Sequence, residues 1–99
     1  MNTSLPPSAR AAVETLVKSF SPAAGEMMTE AAMARVQYPP FNSPHEGYAV
    51  LREEVDELWD DVKADRLEAS IAEAVQVGAM AMRYVTEMRA RLAARGEQP

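Results

Sequence analysis

Carboxylates are the residues of this chain best placed to do chemistry, and they concentrate between residues 53 and 76. At about 100° of rotation per helical residue, Glu54, Glu57 and Asp61 lie within roughly 60° of one another. They adjoin an apolar arc, which consists of Leu51, Val55, Leu58, Trp59 and Val62. Acids that only keep a helix soluble normally lie opposite the core, and other acids of this segment already do so. The three acids beside the apolar arc are therefore candidates for binding.

A further acid, Glu73, belongs to a later segment that is apolar almost all round. Glu73 and Gln76 lie within EAVQVGAMAMRYV, a pattern that predicts burial on most sides of a helix. A buried lone carboxylate is costly unless it is paired, protonated or bound to a metal. Two helices that each offer acids one turn apart can form an oxygen cage for a hard divalent cation. The spacing thus favours a Mg²⁺ or Mn²⁺ site.

The same acids also have a purely structural interpretation. Glu54 and Glu57 can form solvated ion pairs with Arg52, with Lys63 or with an arginine of another helix. Glu73 can form a buried ion pair with an arginine of another helix or of a partner subunit. The spacing alone leaves these alternatives open.

Composition limits the chemistry that the remaining residues could perform. The chain has 99 residues, no cysteine, one histidine and a net charge of −5. These counts exclude disulfides, thiolate metal sites and nucleophile–base pairs, and there is no glycine-rich phosphate loop. The charge argues against binding a nucleic acid polymer, whereas a metal-bound nucleotide carries its own cation. Any hydrolysis would therefore be metal-assisted attack by water.

The elements that must position these acids are all predicted to be helices. We expect a flexible tail over 1–6, a single all-α domain over 7–95 and a second tail over 96–99. No alternating β-branched run indicates a strand. The first helix begins at Pro7 and ends near Phe20, and its predicted inward residues are Ala11, Val13, Leu16, Val17 and Phe20.

Capping signals set the other boundaries. Ser21 is predicted to cap a second helix with Pro22 at its first position, although the first two segments could also form one bent helix. Its apolar residues are Met27, Met28, Ala31, Ala32 and Val36. A stiff proline loop follows at 38–42. Ser43 caps a third helix as part of a capping box with Glu46. We expect the third helix over 44–64 and a fourth over 67–94.

The fourth helix has two apolar arcs, and one chain of this length is expected to cover only one of them. The first arc contains Val77, Tyr84 and Met88, and the second contains Ile71, Val75 and Met82. The second arc predicts packing against another copy of the chain. We therefore expect a bundle of three to four helices completed as a homodimer or homotetramer. The amino terminus has no leader pattern and no run reaches membrane-spanning length, so a cytoplasmic protein without a membrane partner is expected.

The acidic motifs resemble those of the MazG-like, all-α nucleoside triphosphate pyrophosphohydrolases. That family has E-E-x-x-E followed by E-x-x-D, and the resemblance covers about residues 36 to 88. Glu53, Glu54 and Glu57 match the first motif, which implies catalytic roles for all three, and Glu73 matches the first acid of the second motif. Gln76 replaces the family's aspartate. The resemblance implies that Glu54, Glu57, Glu73 and Gln76 hold magnesium, and that a (deoxy)nucleoside triphosphate is cut to the monophosphate and pyrophosphate.

The same resemblance suggests where a nucleotide would bind. The proline loop lies near the metal in the family, so Phe41 could stack on a base, Asn42 could read its edge and His45 could face the nucleotide. Arg83 is the best candidate for a phosphate ligand, and a salt bridge to Glu87 is its structural alternative. Because of Gln76, a second function stays open, that of a non-catalytic helical oligomer that binds nucleotides or a protein partner.

Overall fold

The computed structural model describes residues 4–96 and shows an all-helical protein with no strand in that range. The four helices are α1 (Pro7–Ser19), α2 (Ser21–Gln37), α3 (Pro44–Lys63) and α4 (Leu67–Gly96). Helix α4 packs against both α2 and α3, whereas α1 contacts only α2. Most of the two predicted tails, residues 1–3 and 97–99, lies outside the described residues. Helix α4 is thus the element around which the others are arranged.

The predicted start of α3 is confirmed. The Ser43 side chain accepts a hydrogen bond from the backbone N–H of Glu46 at 3.1 Å, and Pro44 occupies the first turn. Glu46 reaches back one residue further than a capping box requires. Its two carboxylate oxygens accept from the backbone N–H of Asn42 at 3.2 Å and from its side-chain amide at 2.9 Å. The start of α3 therefore also fixes the end of the proline loop.

The turn between α3 and α4 is a Schellman motif with an aspartate at its left-handed position. Asp65 has φ 56°, and the backbone N–H of Arg66 donates to the carbonyl of Asp61 at 2.9 Å. A short polar side chain tolerates this conformation better than most residues do. The motif ends α3 sharply and turns the chain, so that the first half of α4 returns along α3.

The junction of α1 and α2 differs from the sequence prediction. Ser21 is not a cap: α2 begins at Ser21 itself, and Phe20 takes the N-cap position without any side-chain hydrogen bond. The reason is that Phe20 stays close to helical geometry, with φ −86° and ψ −5°, so the residue after it is already helical. A one-residue break therefore separates two helices, which settles the question of one bent helix or two.

The core is small and lies where the proline loop meets α4. Its buried apolar residues are Phe41, Ala79 and Met80. The half-buried residues around it are Ala31, Ala34, Val50, Leu51, Tyr84 and Met88. Gly78 permits close approach of α2, since a Cβ there would overlap the side chain of Met27. No helix of residues 4–96 is long and apolar enough to cross a membrane.

Much of the predicted inward surface is exposed. Helix α1 has no buried residue, and Leu16, Val17 and Phe20 are each more than half exposed. On α3, Trp59 and Val62 are also more than half exposed. Met28 and Val36 of α2 are more than half exposed as well, and Val55 of α3 is 41% exposed. These predictions are wrong for a single chain because no other element among residues 4–96 covers these faces.

Candidate metal centre

Three carboxylates from two helices converge, as the spacing predicted. One oxygen each from Glu54 and Glu57 on α3 and from Glu73 on α4 lie within 4.8 Å of one another. The two α3 acids share a helical face because they are three residues apart. Glu73 reaches them because α4 packs along α3. We call these three residues the acid cluster.

No cation of the described chain neutralises the acid cluster. The basic residues proposed as partners bind other acids: Arg52 pairs with Asp56 at 3.3 Å and Lys63 with Asp60 at 3.4 Å. Among residues 4–96 no salt bridge involves the acid cluster. The ion pairs of the structural interpretation are therefore absent from the described chain.

Asp61, the third acid of the predicted arc, is engaged elsewhere. Its carboxylate accepts two hydrogen bonds from the guanidinium of Arg66, at 3.1 and 3.0 Å. This pair lies beside the Schellman turn. Asp61 therefore holds the turn between α3 and α4, although its charge still acts on Glu73.

The environment of Glu73 makes the acid cluster costly without a cation. Its Oε2 atom is buried and has no hydrogen-bond partner among residues 4–96. Burial raises the pKa of Glu73 above its usual value, and hydrogen bonding with Glu54 and the charge of Glu54 add to this. A hydrogen bond shared with Glu73 and the charge of Glu73 likewise raise the pKa of Glu57. Three acids this close thus favour either a bound proton or a bound cation.

A cavity of about 610 Å³ opens beside the acid cluster. Glu54 lines the cavity, whereas Glu57 and Glu73 do not, so the cavity and the acid cluster adjoin at Glu54. The predicted residues that line the cavity are Glu53, Glu54, Gln76, Phe41, Asn42 and Arg83. His45 is exposed and does not line it. The structure therefore brings together every predicted substrate residue except His45.

Gln76 lies in the cavity wall one turn after Glu73. It also lines a shallower groove between α2 and α4 with Glu26 and Glu30. Within the described chain it donates no hydrogen bond to the buried Oε2 of Glu73. Its amide is thus available to a ligand in the cavity.

Arg83 forms the salt bridge that was its structural alternative. Its Nε atom donates to Oε2 of Glu87 at 2.9 Å, and its side chain is only 6% exposed. Glu87 also accepts from the backbone N–H of Phe41 at 2.7 Å, and Arg83 donates to the carbonyl of Pro39 at 3.2 Å. The guanidinium lies 4.2 Å from the centre of the Phe41 ring. We call Arg83 and Glu87 the loop clamp, since they fasten the proline loop to α4.

Some residues of the site were not predicted from the sequence. The sequence suggests Glu87 only as a partner of Arg83. Its hydrogen bond to Phe41 joins residues that are 46 positions apart in the sequence. Glu30 and Gln37 also line the cavity. They are seven residues apart on α2, a spacing that places both on one helical face. That polar pair was the available signal.

Comparison with known proteins adds no family to this description. No family model, curated protein or solved structure matches the chain. The resemblance carried by Glu53, Glu54, Glu57 and Glu73 therefore stays a prediction. The function has to be argued from the acid cluster, the cavity and the loop clamp.

Proposed function

We propose that the protein is a magnesium-dependent nucleotide pyrophosphohydrolase that converts a (deoxy)nucleoside triphosphate to the monophosphate and pyrophosphate. One observation carries the proposal. Carboxylate oxygens of Glu54, Glu57 and Glu73 converge within 4.8 Å, without a cationic partner in the described chain. The cavity beside them is large enough for a small polar ligand. The family resemblance of the acidic motifs supplies the substrate class.

The acid cluster suits a hard divalent cation. Carboxylate oxygens are the ligands that Mg²⁺ and Mn²⁺ favour, and the partnerless Oε2 of Glu73 would gain a partner. The amide carbonyl of Gln76, in the adjacent wall, can supply a further oxygen without adding charge. When bound, the metal would offset phosphate charge and make a water more acidic.

Residues of the chain would orient the nucleotide and deprotonate the attacking water. Glu53 lines the cavity beside Glu54, and in this proposal it accepts a proton from the attacking water. The water oxygen attacks the α-phosphorus, the bond to the bridging oxygen breaks, and pyrophosphate leaves. Phe41 offers a ring face and Asn42 an amide to the nucleoside. Arg83 holds the wall through the loop clamp, which leaves its role as a phosphate ligand secondary.

We also propose that the protein works as a homodimer or homotetramer. In the second arc of α4 Ile71 is 59% exposed in the single chain, whereas Val75 and Met82 are half-buried. Apolar side chains at this position favour burial in an assembly.

A non-catalytic oligomer that binds a nucleotide or a protein partner is the second candidate. It is favoured by Gln76, because an amide at this position lowers the negative charge available to a cation. Binding of metal and nucleotide without pyrophosphate release would support this candidate.

The test is an assay of pyrophosphate release from a panel of ribo- and deoxyribonucleoside triphosphates, with Mg²⁺ and with a chelator. We expect release from at least one nucleotide only with Mg²⁺. Glu54→Gln and Glu73→Gln should each lower the rate by roughly 100-fold or more. Glu68→Gln, an exposed acid of α4 outside the acid cluster, is the matched control. No release from any nucleotide would refute the hydrolase.

A further inference from the structure

Two apolar faces of the chain are uncovered and have matching helical spacings. The α1 face consists of Val13, Leu16, Val17 and Phe20, and the last three are 55%, 54% and 63% exposed. The α3 stripe consists of Tyr48, Val55, Trp59 and Val62, which are 58%, 41%, 57% and 52% exposed. Steps of three, four and seven residues place each set on one side of its helix. In the described part of the chain α1 contacts only α2 and α3 contacts only α4, and the exposed fractions place both sets of side chains mainly outside those contacts.

The chain exposes more surface than a compact protein of its size does. The accessible surface is 7515 Å², about 2000 Å² more than the roughly 5500 Å² expected for a compact protein of 10.8 kDa. The radius of gyration is 16.6 Å, against about 13 Å for a compact domain of this length. Obligate homodimers bury about 2000 to 5000 Å² in total. Two chains that each lose this excess fall within that range.

We infer that a second copy of this chain covers both faces, with the α1 face of each protomer packed on the α3 stripe of the other. A twofold axis makes this contact twice and leaves neither face exposed. The inference rests on the homo-oligomer of the proposed function and assigns it an interface on α1 and α3, which is separate from the exposed Ile71 of α4. It does not depend on metal binding or on hydrolysis.

Charge favours this pairing, and length permits it. The α1 face, from Val13 to Phe20, is about 10 Å long at 1.5 Å per residue, and it fits within the roughly 20 Å from Tyr48 to Val62 along α3. Helix α1 carries two basic and one acidic side chain, whereas α3 carries two basic and seven acidic ones. Net charges of +1 and −5 attract, while two α3 helices face to face would repel. The acidic α3 also disfavours an anionic lipid surface as the occupant.

The first test measures mass and the emission of the only tryptophan, Trp59, in the metal-free protein. We expect a dimer or a larger even assembly by light scattering, with blue-shifted Trp59 emission. Leu16→Glu should raise the dissociation constant about 100-fold or more, because a carboxylate would be buried against the α3 stripe. Its emission should shift to the red at concentrations where wild type is assembled. Thr15→Glu, with the same charge on the opposite side of α1, should change neither quantity.

The second test uses the absence of cysteine from the chain. Val17→Cys combined with Val62→Cys should form disulfide-linked dimers on mild oxidation, whereas either single variant should not. The combination of Thr15→Cys with Val62→Cys is the control. This test stands even if Leu16→Glu fails to fold.

The outcomes separate the inference from the proposed function. A monomeric wild type, or a dimer whose mass survives Leu16→Glu in a folded protein, overturns the interface. Crosslinking through Val17→Cys alone would place α1 against α1 and also overturns it. Pyrophosphate release is measured independently, so either proposal can fail without the other.

Discussion

Two polar clusters on α4 differ in how completely they are satisfied. In the loop clamp, Arg83 and Glu87 are almost fully buried, and both oxygens of Glu87 accept hydrogen bonds. In the acid cluster, the buried Oε2 of Glu73 has no partner, although two other carboxylates lie beside it. The loop clamp joins α4 to the proline loop before α3. The acid cluster lies between α4 and the middle of α3.

The difference separates a structural cluster from a candidate binding site. A buried charge with matched partners fixes geometry, and the loop clamp holds the proline loop that walls the cavity. A buried carboxylate oxygen without a partner is costly, so Glu73 favours a bound proton or a bound cation beside Glu54 and Glu57.

Breaking the loop clamp should cost the most stability. Glu87→Ala leaves the guanidinium of Arg83 buried without its partner and removes the acceptor of the Phe41 N–H. Loss of one member of a buried pair costs about 3 to 5 kcal/mol. Urea unfolding measures this change. Asp56→Ala, which removes the exposed pair with Arg52, should cost far less, and equal losses would contradict the structural role of the loop clamp.

Adding a charge beside the acid cluster should have a smaller effect that depends on metal. Without divalent cations, Gln76→Asp should destabilise the fold by about one to three kcal/mol, because a further carboxylate joins a repulsive group. Magnesium should restore the melting temperature, since affinity grows with ligand charge. Thr86→Asp, at an exposed position of α4, is the control. A loss that magnesium does not recover would count against a metal site.

A larger side chain at Gly47 of α3, beside Phe41, should destabilise the fold less than either change above. A Cβ at Gly47 would lie 2.7 Å from the Tyr84 ring and 3.0 Å from the Phe41 ring. Gly47→Ala should therefore destabilise by about 1 to 2 kcal/mol, despite the better helix propensity of alanine. Gly25→Ala, where no atom lies within 4 Å, should instead stabilise by about 0.5 to 1 kcal/mol. Thermal unfolding of the two variants makes the comparison, and a stabilised Gly47→Ala would refute the close contact.

The pH dependence of the metal-free protein should show the smallest effect. The pKa values of Glu57 and Glu73 are raised above 4.5, so the folded state binds more protons than the unfolded state. Their contribution to stability is therefore full below pH 4.5 and is lost as the pH rises through the folded-state pKa values. With a chelator present, the melting temperature of wild type should fall more steeply above pH 4.5 than that of Glu73→Gln. Parallel profiles would mean that the raised pKa values of the acid cluster do not contribute to the pH dependence of stability.

Sequence reasoning performed best where the determinants are local. Ser43 and Pro44 specify the start of α3 within four residues, and the spacing of Glu54, Glu57 and Glu73 specifies the acid cluster once two helices pack. It failed at Ser21 because a one-residue break keeps Phe20 near helical geometry, which composition does not reveal.

Non-local partners account for the other differences. Glu87 and Arg83 have an obvious i, i+4 spacing, but the bond from Phe41 to Glu87 depends on how the proline loop meets α4. The apolar pattern of α1 predicts a buried face, but no other helix of the described chain covers it. Leu16 and Trp59 are therefore exposed in the single chain.

The most direct test of the central claim is titration of the protein with Mn²⁺, followed by electron paramagnetic resonance of the unbound ion. We predict one site per chain with a dissociation constant of about 1 mM or tighter. Mg²⁺ should compete for this site, and Glu73→Gln should weaken it at least about tenfold. Asp56→Asn, which alters an exposed acid of α3 outside the acid cluster, should leave it unchanged. No saturable binding, or binding that Glu73→Gln does not weaken, would contradict the assignment of the acid cluster as a metal site.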